Sequence, residues 1–560
     1  MAVYRVKRNL RDRVARWFPN IYAKHIEQVT SSIPHLDRKR CSSDNALSAL
    51  AETIAPFYYD EYVDNIDSVV KGCFHILNRT VDFGSVDAID WHHRLEEESD
   101  FHLWRQKLAH MGFVSPLLIS GGESRYEAVS ALIKSFCRSA NFGVPDCFSS
   151  FWFPYSVSHR ILAVLSGYIV ALQSQHLPKS LCADIEEFLR WNVGFLLANV
   201  EHDLRNNHVE RNLAALCLYF SCIENQGYMR RRLLNREVRR ILTAYILADG
   251  FGAERSAMYQ GLSVLCLGIF EKAGCLSPDT RALARRLHQK ATRAWRFMTH
   301  PDGEIALFND SWIGEVPPAD RVTGDHSFAS VELLPQAGYA RLAAGPTFAL
   351  MDAGPIGPRW CPGHGHADFL SVEIDIDAKR FIVDPGTYQY STGPRRSFER
   401  SAASHNGPTR SGLEPVEYTD CFRVGRMNDA KFVKNVASAA GGIVRGQLTL
   451  RDRSVIERTV ELYSETLRVI DEWFEDDSGA FVRLTISDSW VPSRLNANTL
   501  EFRAGESIAQ MSVLQGRVET LGCSEWSSHY LESRPASTVI LTPVTHEGRT
   551  RLVWEVIPIA

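Results

Sequence analysis

The chain has 560 residues, 45% of them hydrophobic and 23% charged, and a net charge of −4. This is ordinary globular composition with room for more than one domain, and the balanced charge excludes any global attraction to nucleic acid or to a membrane. An acidic ligand would need a local basic site. The twelve cysteines are scattered without a CxxC pair, a usage expected of buried free thiols in a reducing compartment.

Residues 1–44 open with Arg5, Lys7, Arg8, Arg11, Arg13 and Arg16 around Val6, Leu10, Val14 and Phe18. This spacing predicts a basic amphipathic helix. It is read as a surface helix on its own domain, with membrane contact as the lesser alternative. No apolar core of signal-peptide length is present, and the longest apolar stretch, 161–172, is too short to span a bilayer. The expected location is cytoplasmic, with a periplasmic or exported protein left open.

From about 45 to 320 apolar residues recur at three and four. Helices are predicted over 103–118, 157–172, 185–200, 209–222, 238–247, 258–270 and 280–298. Two share a design. In NNHVERNLAALCLYF the stripe is Val209, Leu213, Leu216 and Phe220, with Asn206, Asn207 and His208 at the N-terminal end. In ERSAMYQGLSVLCLGIF the stripe is Met258, Leu262, Leu265 and Ile269, with Glu254, Arg255 and Tyr259 at that end. Helix N-termini carry partial positive charge, so two such ends facing one cleft would favour an anion. Equally, Asn207 could be a cap and Tyr259 a half-buried aromatic. The texture changes near Pro317-Pro318, and from 321 to 560 short strands alternate with turns.

Within this region 354–406 is the densest stretch. His364 and His366 flank Gly365, Leu370, Val372, Ile374 and Ile376 alternate, and the return strand ends at Asp384-Pro385-Gly386. An antiparallel pair brings the two histidines and the acid to one end. Histidines two apart on an extended chain lie on one side, about 7 Å apart. With His405, the residues His366 and Asp384 make a plausible ligand set for a zinc-like ion, leaving His364 for proton transfer. Ordinary strand-end polar residues are the competing reading, since no compact metal motif occurs.

GPRWCPGHGHADFLSVEI, FIVDPGTYQY and RSAASHN resemble the C-terminal half of the heparinase II/III-like polysaccharide lyases. NNHVERNLAALCLYF resembles the family's Asn-His helix, DGFGAERSAMYQGL its Glu-Arg-Ser-x-x-Tyr helix, and FHLWRQKLAHMGFV, WFPYSVSHRI and HPDGEIALFNDSWIG further ordered segments. The resemblance covers about 90–430. One departure is Gly407-Pro408-Thr409-Arg410, where the family has a Thr and an apolar strand.

The resemblance implies a multidomain α+β chain: a basic helical segment (1–44), an (α/α) toroid of helical hairpins (45–320) and an antiparallel β-sandwich (321–560). It implies β-elimination at a uronic acid of an acidic polysaccharide or oligosaccharide. Asn207 would bind the carboxylate with His208 assisting, Tyr259 would be the acid and for some epimers the base, and His364 the other base. Arg255 or His208 would be the cation beside Tyr259. Arg255, Arg359 and Arg400, with Arg395 and Arg396, are candidates for substrate carboxylate or sulfate. One structural divalent ion, zinc by ligand type, would sit on His366, Asp384 and His405. The alternatives are a metal-dependent glycan hydrolase and a non-catalytic glycan-handling protein of a surface-polysaccharide pathway. Polymer, endo or exo action and oligomeric state are not encoded in these motifs.

Overall fold

The computed structural model describes residues 2–324, 326–438, 441–474 and 479–559. The chain forms two compact units, Met1–Ile246 with Leu262–Gln289, and Leu247–Gly261 with Lys290–Ala560. Helices build the first and antiparallel sheets the second, the order the sequence predicts.

The helical unit is organised on Pro154–Ser174, which packs against Val114–Ser120, Asn207–Ser221, Asn45–Ile54 and Lys179–Ala198. By length and apolarity this 21-residue helix could cross a membrane, but its most apolar window is 83% buried inside the protein. A helix apolar all round is a core helix. A Cβ at Gly167 would lie 2.7 Å from Ser115 Cα, so glycine permits the neighbouring helix to approach. The single helix predicted over 103–118 is broken. Leu103–His110 ends at Met111 with φ 55°, and Val114–Ser120 resumes after it. The helix predicted from 238 begins at Tyr228, because the run Arg230, Arg231, Arg232 forms its exposed first turns rather than a loop.

In the second unit one sheet runs in the order Arg517–Trp526, Arg534–Thr542, Ala480–Ser487, Lys379–Ile382, Val372–Ile376, Thr347–Asp352, Tyr339–Ala344, Val331–Leu334. The other runs Ala430–Ser438, Gly441–Thr449, Val455–Tyr463, Thr466–Trp473, Arg549–Ile559, Ser507–Gln515, Thr499–Ala504, Val491–Arg494. One buried cluster takes Met351, Ile374 and Val482 from the first sheet and Val444, Val460, Val469 and Trp554 from the second. This is a β-sandwich, its inner faces set by alternation.

The predicted pair Val372–Ile376 and Lys379–Ile382 forms, with Ile376 opposite Lys379 and Ile374 opposite Ile382. Asp377 and Ala378 turn it with φ 53° and 57°, the left-handed values of a tight hairpin. The departure at 407–410 also resolves. Pro408–Arg410 adds to Ala480–Ser487 as a short strand. Ahead of it Asn406 donates to the Val372 and Val383 carbonyls (3.0 and 2.9 Å) and accepts from Thr485 N (2.9 Å).

Candidate active site

In the second unit the chemistry gathers on Asp310, a buried carboxylate from the loop before the sandwich. It accepts from His364 Nδ1 (2.9 Å), from His366 Nε2 (2.9 Å) and from both Arg396 terminal nitrogens (2.6 and 2.9 Å). Burial alone would raise its pKa. Arg396 and the two imidazole hydrogen bonds outweigh burial and hold it well below the ordinary carboxylate range.

The segment carrying the two histidines is clamped from several sides. Asn309, at φ 59°, accepts from His366 N through its side chain (2.9 Å), while its own N–H donates to Asp368 (2.8 Å). Asp310 N donates to the His364 carbonyl (3.0 Å). Arg400 donates to the carbonyls of Gly363 and Gly365 (3.1 Å each). Gly365 is required by space: a Cβ there would lie 2.2 Å from the Ile356 carbonyl oxygen.

Tyr259 stands in the first turn of Ala257–Lys272. Ser256, just before that helix, accepts from Tyr259 N (3.2 Å) as a cap does, and donates to the Asp310 carbonyl (2.7 Å). The Tyr259 ring lies 4.2 Å from the His364 ring, centroid to centroid, and its hydroxyl is 3.1 Å from the Tyr390 hydroxyl. Burial, together with Tyr259 and Asp310 nearby, pushes Tyr390 well above the ordinary phenol range, so Tyr390 keeps its proton. Glu254 approaches the other side of His364, 3.8 Å from Nε2.

Two arginines expected at substrate are used otherwise. Arg255 donates to the carbonyls of Ala337, Ala253 and Gln336 (3.1 Å each). Arg400, 1% exposed, is spent on Gly363, Gly365, Asp420 and Cys421 carbonyls. Both brace loops. Arg396 is likewise spent on Asp310. Arg395 lies over the Tyr388 ring and pairs with Glu399 (2.9 Å). Arg359 is on the surface, paired with Asp429.

His405 and Asp384 meet directly, Nδ1 to carboxylate at 2.7 Å, and the His366 and His405 ring centroids are 5.4 Å apart. His366 Nδ1 and His405 Nε2 are buried with no hydrogen-bond partner among the described residues. Each ring places its other nitrogen on a carboxylate, so each can present a bare lone pair. That is the donor chemistry a zinc-like ion needs. Asp384 accepts from His405 Nδ1 on one carboxylate oxygen and from the Gly386 N–H (3.0 Å) on the other. It thereby fixes the orientation of the His405 ring. Among the described residues no three His, Cys, Asp or Glu side chains converge as a metal cluster. Asp368 stands close, pushed up to about 7 by burial and by Asp384, although His405 opposes the rise.

In the helical unit Asn207 and His208 open Asn207–Ser221. The cap is Asn206, whose side chain accepts from His208 N (3.1 Å), so Asn207 is not needed for capping. His208 Nδ1 lies 3.2 Å from both oxygens of the buried Glu201, and its ring lies against Tyr155 (4.5 Å) and Phe153 (5.4 Å). Glu201 therefore fixes the orientation of the ring through Nδ1. Behind it His159 stacks on His110 at 4.3 Å, with Tyr58 on His159 Nδ1 (2.9 Å). Burial keeps both histidines neutral, well below the ordinary imidazole range.

Asp310, Asn309, Tyr390, Glu201 and Tyr155 were not singled out in the sequence. They lie in WFPYSVSHRI, HPDGEIALFNDSWIG, FIVDPGTYQY and the loop before the Asn-His helix, and only their order carries a signal.

Residues 329–555 match the family model described as Heparinase II/III-like, C-terminal. Among solved structures the chain is similar to heparinase III, with 14% identity over 96% of this chain and 89% of that one and a TM-score of 0.67. A mutant of heparan sulfate lyase HepC from Pedobacter heparinus matches at 16% identity over 88% and 82%, TM-score 0.59. The heparinase III-BT4657 gene product matches at 14% over 89% and 84%, TM-score 0.60. At such identities these likenesses establish the fold. No curated protein matches the sequence.

Proposed function

We propose that this chain, whose residues 329–555 match the Heparinase II/III-like, C-terminal family model, is a polysaccharide lyase cleaving a uronic-acid-containing polymer or oligosaccharide by β-elimination. The observation that carries the reading is the Tyr259–His364 contact at 4.2 Å, with Asp310 behind the imidazole. Two proton-transfer groups lie side by side, and one has its tautomer fixed.

The C5 proton of a uronate is weakly acidic because it adjoins a carboxylate. Hydrogen bonds that neutralise that carboxylate stabilise the enolate-like transition state. Asn207 and His208, at a helix N-terminus, are assigned to it. With Nδ1–H given to Asp310, His364 keeps Nε2 as a base for the C5 proton. The electron pair moves to form C4=C5, the C4–O4 bond breaks, and Tyr259 returns a proton to O4. For the other C5 epimer Tyr259 takes the C5 proton, helped by the hydrogen bond that Tyr390 can donate to a phenolate.

A divalent ion, where bound, would be held by His366, Asp384 and His405, and would supply structural cohesion to the 363–368 segment. His366, His405 and Asp384 are each at most 1% exposed. That burial disfavours the hydrolase alternative, in which water and sugar must reach the ion.

The test is a panel of uronate polymers followed by ultraviolet absorbance of the unsaturated product, with Tyr259→Phe as control. New reducing ends without absorbance would reject elimination. No turnover of any uronate polymer by folded protein would favour the non-catalytic role.

A further inference from the structure

Among the described residues of the helical unit, the large apolar side chains left exposed fall in two segments. Val6, Leu10, Trp17, Phe18 and Ile21 form one, at 57–72% exposure; Tyr228, Met229 and Leu233 form the other.

The helix Ala2–Trp17 is docked the wrong way round for a helix of a globular domain. Its buried side carries Ala15, Arg8 paired with Asp203 (3.0 Å), and Arg11 stacked on Phe148 (4.3 Å). Val6, Leu10 and Trp17 share one stripe at about 100° per residue, and that stripe faces outward. Phe18 and Ile21 continue it onto Pro19–Ser31, which buries Tyr22, Ile26 and Thr30 instead. Exposed Arg13, Arg16 and Lys24 flank the apolar residues. The side chains of Arg5 and Lys7 lie outside the described residues.

The helix Tyr228–Tyr245 repeats the chemistry. It buries Leu234, Val238, Ile241, Leu242 and Tyr245. Its opposite face carries exposed Arg232, Arg236, Arg239 and Arg240, with Met229 and Leu233 at its start. Arg230 donates to the Ser32 carbonyl (3.2 Å), just past the end of Pro19–Ser31, so one thirteen-residue helix links both patches.

We propose that these two patches are a docking surface for an anionic lipid bilayer. Trp17, Phe18, Leu10 and Met229 would enter the headgroup boundary, and the arginines would pair with lipid phosphates. Charge complementarity favours this occupant. A second copy meeting the face symmetrically would set arginine against arginine. A nucleic acid or acidic polymer would match the charge but leave the apolar stripe in water.

The test is flotation of the full chain with vesicles of phosphatidylcholine alone or with about 30% phosphatidylglycerol, at low and raised salt. The full chain should float with the anionic vesicles only and be released by salt. Leu10→Ser with Trp17→Ser, and separately Arg232→Glu with Arg236→Glu and Arg239→Glu, should each weaken binding at least about tenfold. Every altered side chain is exposed or on the solvent face, so thermal unfolding should be unchanged. Equal flotation of full chain and both variants overturns the proposal, as does no flotation with anionic vesicles. Light scattering that finds a dimer, dissociated by the same substitutions and indifferent to vesicles, assigns the face to a second copy and also overturns it.

Discussion

Asp310 and His364 are joined twice. The carboxylate accepts from Nδ1 at 2.9 Å, and the Asp310 N–H donates to the His364 carbonyl at 3.0 Å. Ring and backbone of the histidine are therefore set by one residue. Asp310→Asn removes the charge and should lower turnover at least about a hundredfold, the scale of losing a general base. It also leaves Arg396 buried without its counter-charge, at a cost of roughly 3–5 kcal/mol. Adding Arg396→Met removes that strain. The double variant should recover melting temperature and not turnover. Recovery of both would make Asp310 purely structural.

Tyr259→Phe deletes one hydroxyl and should leave folding nearly unchanged while turnover falls at least about a hundredfold. Tyr390→Phe deletes only the partner hydroxyl, and one hydrogen bond of about 1 kcal/mol predicts a loss nearer fivefold. Steady-state rates on an unsaturated-product assay decide. A Tyr390 variant as slow as the Tyr259 variant would exchange their roles.

The metal reading separates the two neighbouring histidines. His364→Ala should reduce turnover with metal content and melting temperature near those of the parent. His366→Ala and His405→Ala should lose about one divalent ion per chain and melt earlier. Elemental analysis of protein purified without chelator checks this. If the parent holds no ion, His366 and His405 serve only through their hydrogen bonds to Asp310 and Asp384. If His364→Ala loses the ion, the assignment is inverted.

Much of the second unit was legible because alternation and turn residues mark strands, as at 372–376 and 379–382. Asp384 and His405 could be paired because a hairpin and a return bring them to one end. What could not be read is who holds whom. Arg255 and Arg400 look like substrate ligands by type, yet main-chain carbonyls take their donors, and a carbonyl leaves no trace in sequence. Asp310 is an unremarkable acid in FNDSW. Its role comes from burial among Arg396, His364 and His366, which are 54 to 86 residues away. Gly365 is needed for the closeness of Ile356, a contact between loops that the sequence does not show. The inverted docking of Ala2–Trp17 runs against the rule that an apolar stripe faces its own core.

Arg458 and Asp471 form a fully buried pair across neighbouring strands at 2.6 and 2.9 Å, and Arg458 also holds the Leu370 and Asn406 carbonyls. Arg458→Met keeps the volume but strands Asp471 without a partner. Unfolding should be easier by roughly 3–5 kcal/mol. Arg458→Met with Asp471→Leu should regain most of it. Denaturant unfolding of the single and double variants measures the difference. A single variant as stable as the parent would rule out a stabilising role for the pair.

The last prediction concerns alkaline pH. His300 lies buried between Glu373 (2.9 Å from Nε2) and Asp375 (2.8 Å from Nδ1). Burial opposes its charge, but Asp375 and Glu373 outweigh burial and the repulsion of Arg380, and its pKa rises from 6.5 to about 9. The folded protein therefore binds this proton more tightly than the unfolded chain. Its stabilisation is complete below pH 6.5, declines above it, and is lost once the pH has risen through about 9. The full difference corresponds to roughly 3 kcal/mol. Unfolding free energy measured between pH 6 and 10 should fall over that range for the parent. In His300→Gln the charge is absent, so the variant should start less stable at pH 6 and show a shallower fall. Parallel curves for the two proteins would remove His300 from the alkaline transition.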